Sequence, residues 1–96
     1  MSDETIPLGH RWLVGGRVQG VGFRHFVLTQ AQRLGVGGWV KNLDDGRVEI
    51  RVVGPPVDVA ELKSKVKEGP PAGRVDEFEE HIIEPDPDWK RFEVRF

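Results

Sequence analysis

Residues 17–26, RVQGVGFRHF, are where the chain changes its hydrophobic period. Upstream, His10–Val18 (HRWLVGGRV) alternates, with Trp12 and Val14 on one face and Arg11 and Leu13 on the other, as in a half-buried strand. Downstream, Phe23, Phe26, Val27, Ala31 and Leu34 form one stripe of an amphipathic helix, which Gly35 stops. Gly20 and Gly22 therefore sit in a strand-to-helix turn. Arg24 falls in the first turn of that helix, where free N–H groups already carry partial positive charge and disfavour a cation.

Working outward, VGGWVKN (36–42) reads as a second strand. LDDG (43–46) carries the Asp-Gly signal of a tight hairpin, and RVEIRVV (47–53) alternates Val48, Ile50 and Val52 against Arg47, Glu49 and Arg51. GPP breaks this third strand. A second helix is expected from about Val57 to Glu68, with Val59, Leu62 and Val66 inward, ended by Gly69-Pro70-Pro71. A fourth strand is expected over about Val75–Ile83, with Phe78 and Ile82 on one face. After EPDPDWK, Phe92, Val94 and Phe96 alternate in a last short strand, RFEVRF, expected at a sheet edge.

The order β-α-β-β-α-β plus a terminal strand is the ferredoxin-like pattern, an α+β sandwich of an antiparallel sheet with two helices on one face. The strands flanking the first helix should be parallel, joined by a right-handed crossover, with the third strand antiparallel between them. Their C-terminal ends then share one end of the sheet, roughly 10 Å apart, two strand spacings. One carries the glycine loop; the other ends at Asn42.

With 38% hydrophobic and 31% charged residues in 96, the chain has the composition of one folded domain rather than a disordered one. Residues 1–8 are expected to be a flexible tail and 9–96 a single domain. A net charge of −2 argues against coating nucleic acid, and the absence of cysteine excludes disulfides and thiolate chemistry. MSDETIPLGH is polar and acidic, unlike a signal peptide, and no later run has the length of a membrane span. The expected location is the cytoplasm.

A glycine turn leading into a helix can aim several N–H groups at one anion, although the same glycines serve equally as a tight turn. Arg24 adds a planar fork suited to phosphate oxygens, and a bound anion would offset the penalty of a cation at a helix start. A nucleotide P-loop is excluded, because Gly20 is followed by Val21 and Gly22 rather than lysine; a dinucleotide fingerprint fails because position 25 is His25. Asn42 has two readings open: turn chemistry, or an amide that accepts a hydrogen from an attacking water. His10, His25 and His81 lack metal-ligand spacing, Asp44, Asp45 and the DEFEE run (76–80) read as turn and solvated-face residues, and neither Ser2 nor Ser64 has a base beside it.

These residues resemble the acylphosphatase family. The matching pieces are GRVQGVGFR (16–24), GWVKN (38–42), the Asp45-Gly46 turn with RVEI after it, and the terminal FEVRF; with the intervening elements they span about 9–96. The resemblance implies hydrolysis of the carboxyl-phosphate bond of acyl phosphates, with no metal or cofactor. It makes Arg24 the phosphate-binding arginine and one of two catalytic residues. Gln19, Gly20, Val21 and Gly22 become the backbone cradle that binds substrate with Arg24, and Asn42 the second catalytic residue, orienting the water. Lys41 stands where Arg is commoner, Gly15 where many members have a side chain, and Phe96 where Tyr is frequent. The implied partner is a small-molecule acyl phosphate, with no nucleic acid or membrane, and the implied state a monomer.

Acylphosphatase-like domains also occur within larger carbamoyl-transfer maturation proteins; the chain's 96 residues favour the free-standing enzyme. The alternative is a non-catalytic ferredoxin-like module that binds anions or proteins. An RNA-binding domain on this fold would expose aromatics on its central strands, and RVEIRVV has none.

Overall fold

The computed structural model describes residues 8–96. Along them run β1 (Gly9–Arg17), α1 (Phe23–Leu34), β2 (Gly37–Asn42), β3 (Val48–Val53), α2 (Pro56–Glu68), β4 (Arg74–Ile83) and β5 (Phe92–Arg95). Element boundaries differ from expectation by one residue in several places. Helix α2 takes in Pro56, whose fixed φ and missing N–H suit a helix's first turn, and β4 begins at Arg74. The expected tail lies outside the described residues except for Leu8, which is exposed.

The sheet order is β4-β1-β3-β2-β5. β3 lies antiparallel between β1 and β2, as the ferredoxin-like pattern predicts, and β4 is antiparallel to β1. The sheet is nevertheless mixed, because β5 pairs parallel to β2, matching Val40 with Val94 and Lys41 with Arg95. The cause is the route of the chain. β4 ends level with Gly9, at the start of β1, so residues 84–91 cross that end of the sheet to reach the far edge. Gly37 makes the crossing possible, since a Cβ there would lie 1.9 Å from the Trp89 carbonyl oxygen. β5 then has to run back in the direction of β2, and Phe96 arrives at the end where β2 finishes.

Trp12, Val14, Val40, Val48, Ile50 and Val52 face the helices and pack with Phe23, Val27 and Ala31 of α1 and Val59, Leu62 and Val66 of α2. Each large side chain buried there contributes roughly 1.5–3 kcal/mol. α1 ends as its pattern predicts: Gly35 turns left-handed, and Gly35 and Val36 donate back to Gln32 and Ala31.

On the opposite face, Glu49 is buried between Arg11 and Arg51, 2.8 and 2.9 Å away. Burial pushes its pKa up, but the hydrogen bonds from the two guanidinium groups outweigh this and hold it below the usual range. Trp39 is also covered, lying under the guanidinium groups of Arg51 and Arg95 at 5.2 and 5.0 Å. The aromatic of the open face is thus unavailable for base stacking.

Ile82 shares a side with Phe78, as expected, and is exposed near the end of an edge strand. One expectation for β4 needs correction. Glu80, placed with the solvated acidic run, instead faces inward and accepts from Trp12 Nε1 and His10 Nδ1 (both 2.9 Å) and from Lys63 Nζ. Strand alternation puts 78 and 80 on the same side, and the buried indole N–H requires an acceptor.

Candidate active site

Strand register locates the ends of β1 and β2. Val48 of β3 is level with Val14 on one side and with Asn42 on the other. Directly paired residues point to the same face, and Val14 and Val48 belong to the core. Asn42 therefore directs its side chain into the helix layer rather than outward or into the turn. The turn itself is made by others: Leu43 and Arg47 close the hairpin, Gly46 donates to Leu43, and Asp45 accepts from the Arg47 backbone.

Among the described residues the Asn42 carboxamide forms no side-chain hydrogen bond, and its Oδ1 is buried without a partner. An open buried acceptor costs about 1–3 kcal/mol, so folds retain one where something else completes it. Turning the amide about χ2, a soft torsion, is what would present this oxygen to an incoming water.

β1 continues past Val14 into a β-bulge, where Gly15 faces Glu77, Gly16 faces Val75 and Asp76 is left between. The bulge re-aims the strand end, and residues 18–22 then swing over to the start of α1. Gly20 and Gly22 have φ of 75° and 76°, and a Cβ on either would meet no atom within 4 Å. Left-handed backbone, not crowding, dictates glycine here, and the space above the loop stays open. Gly22 is the N-cap of α1; it supplies no side-chain cap, and the first helical turn contains no acidic residue. Nothing in the helix's own sequence neutralises its positive end.

Arg24 is half-buried in that turn, with its Cζ 4.8 Å from the centroid of the Phe96 ring. Phe96 follows Arg95, the partner of Lys41, and so sits beside the Asn42 end of β2. The loop makes a second link to the same place through Gln19 Nε2, which donates to the carbonyls of Leu43 (2.8 Å) and Arg47 (2.9 Å). The structure thus gathers the loop 19–22, Arg24 and Asn42 at one end of the sheet, but it turns the Gln19 side chain to the hairpin and away from the open cradle. The Phe96 contact was missed: alternation identified its strand, but only the parallel register shows that the chain ends over Arg24.

No histidine faces the others to form a ligand set among the described residues. His25 is exposed on α1, while His10 and His81 pair with Glu80 and Glu79. Among the described residues no group of His, Cys, Asp and Glu is arranged to hold a metal ion, and no helix is long and apolar enough to cross a membrane.

The acylphosphatase family model matches residues 10–94. The chain is 48% identical over 104 residues to an acylphosphatase of Koribacter versatilis, covering 97% of this chain and 94% of that one. Its fold is similar to the crystal structure of acylphosphatase from Bacillus subtilis, with a TM-score of 0.88, 40% identity, and 93% of this chain and 99% of that one covered. It is also similar to part of HypF from T. kodakarensis, with a TM-score of 0.83 and 33% identity, covering 93% of this chain but 12% of the larger protein.

Proposed function

The chain belongs to the acylphosphatase family, whose reaction is hydrolysis of acyl phosphates, and we propose how its own residues carry that reaction out. The phosphoryl group rests on the backbone N–H groups of the loop 19–22 and the start of α1, with the Arg24 guanidinium on its oxygens. Asn42 accepts a hydrogen from water and aims the water oxygen at phosphorus, in line with the carboxylate. The P–O bond to the acyl group breaks, the carboxylate leaves with the electron pair, and one water proton passes to a phosphoryl oxygen. A mixed anhydride has a good leaving group, so charge stabilisation and alignment supply most of the catalysis, without metal or a side-chain base.

The observation supporting these roles is the open acceptor of Asn42, held on the helix side of the sheet end that also bears the left-handed glycine loop. On the same reading, residues 9–96 act as one domain, a monomer of the cytoplasm working on free small molecules. The covered Trp39 and the net charge of −2 support the absence of a nucleic-acid partner.

The test is hydrolysis of benzoyl phosphate in the presence of a chelator. Wild-type protein should turn over, and Arg24→Ala should bind inorganic phosphate more weakly and lose turnover severely. No hydrolysis by the wild type would favour the non-catalytic binding module; full activity in Arg24→Ala would remove the arginine from the mechanism.

A further inference from the structure

We propose that Gln19 is a positioning residue, whose carboxamide sets the height of Asn42 relative to phosphate held in the glycine loop. The inference rests on the site reading above. Gln19 Nε2 spans the carbonyls of Leu43 and Arg47, the two residues that close the β2–β3 hairpin, and Leu43 is covalently next to Asn42. Only the nitrogen end of a carboxamide can face two carbonyl oxygens, so both of its hydrogens are used and its orientation is settled by chemistry.

Among the described residues, the backbone of 18–22 makes no backbone hydrogen bond to the hairpin; its one backbone–backbone bond of this kind joins loop to helix, from Phe26 N to the Gly22 carbonyl. The Gln19 side chain is therefore the polar strut between the two halves of the site. One half carries the electrophile, the other the group that aims the nucleophile. Displacing reacting groups by about 1 Å can reduce rate by about 10²-fold, so a strut between them acts on turnover rather than on phosphate affinity.

The experiment is a double-mutant cycle of Gln19→Met, which keeps the length and removes both donors, with Asn42→Ala. Far-UV circular dichroism and thermal melting verify folding. Gln19→Met should lower kcat for benzoyl phosphate by about 10-fold or more and leave inorganic phosphate binding within about 3-fold. In the Asn42→Ala background the same substitution should cost less than about 2-fold, because the group it positions is gone. Equal losses in both backgrounds, an unchanged kcat, or a loss confined to phosphate affinity would each overturn the strut. Wild-type turnover in Asn42→Ala would instead overturn the site reading beneath it. Gln19→Glu, similar in shape but without the hydrogens, goes through the same cycle and decides the matter if the Met variant does not fold.

Discussion

Replacing Asn42 with leucine should make the protein more stable and much less active. The Asn42 Oδ1 is buried without a partner, on the face shared with Val14 and Val48. An acceptor in that state costs about 1–3 kcal/mol. Leucine keeps the branch at Cγ, replaces both polar atoms with methyls, and adds apolar burial worth roughly 25 cal/mol per Å². Against this stands the strain of fitting a bulkier side chain at a half-buried site, which offsets part of the gain. A net stabilisation of about 1 kcal/mol raises Tm by about 4–8 °C in a domain of this size. Turnover should fall about 10²-fold or more, the scale of losing one preorganised hydrogen-bonding group. Calorimetry and benzoyl phosphate hydrolysis measure the two quantities on the same preparation. A lower Tm, with or without loss of activity, would refute the reasoning, because it would mean that the amide holds the fold together.

Gly22→Ala places a Cβ on left-handed backbone, which costs about 1–2 kcal/mol and intrudes on the open space over the loop. Gly35→Ala imposes similar strain at the other end of α1. Both should melt lower, and only Gly22→Ala should lose phosphate affinity and turnover; equal effects on activity would show that the loop has no special part. Glu80 gives a pH signature. Burial raises its pKa, but hydrogen bonds from Lys63, Trp12 and His10 outweigh this and lower it to about 2. Between pH 4.5 and about 2 the unfolded chain binds the proton more readily, so the stability Glu80 contributes is complete above pH 4.5 and is lost as pH falls through that window. Its ceiling is about 3 kcal/mol, less a discount for the side chain's partial exposure. Urea titrations should find Glu80→Gln weaker at pH 7 and converging with wild type near pH 2; a pH-independent difference would refute this.

What the sequence made legible follows from period and element order. Alternation around Trp12 and the stripe from Phe23 to Leu34 identify β1 and α1, and the ferredoxin-like element order then places β3 between β1 and β2. The partner of β5 was not legible, because a four-residue alternating strand fits either free edge. The close approach of Trp89 to Gly37 selects the edge, and that contact exists only once the sheet is assembled. Asn42 remained divided between turn and site because its neighbours are turn residues; register places it on the inner face. Glu80 was hidden in an acidic run, since its partners come from β1 and α2. The cradle and Arg24 were legible as a local pattern, while the direction of the Gln19 side chain depended on hairpin carbonyls 24 and 28 positions away.

The distribution of local conflicts supports the proposed site independently of any motif. At one end of the sheet lie a cation in an uncapped helix start and an unpartnered buried oxygen. Away from that end, comparable groups are satisfied: Glu80 has three donors, Glu49 has two arginines, and Trp39 is covered on its open side. A sequence that resolves such conflicts elsewhere and retains them together is keeping groups for a ligand. The two conflicts also share one remedy. A dianionic phosphoryl group with a water beside it would neutralise the helix start, accept from Arg24 and donate to Asn42 through the water. On the proposed reading Arg24, opposed by its own helix, would become favourable with the substrate's phosphoryl group beside it.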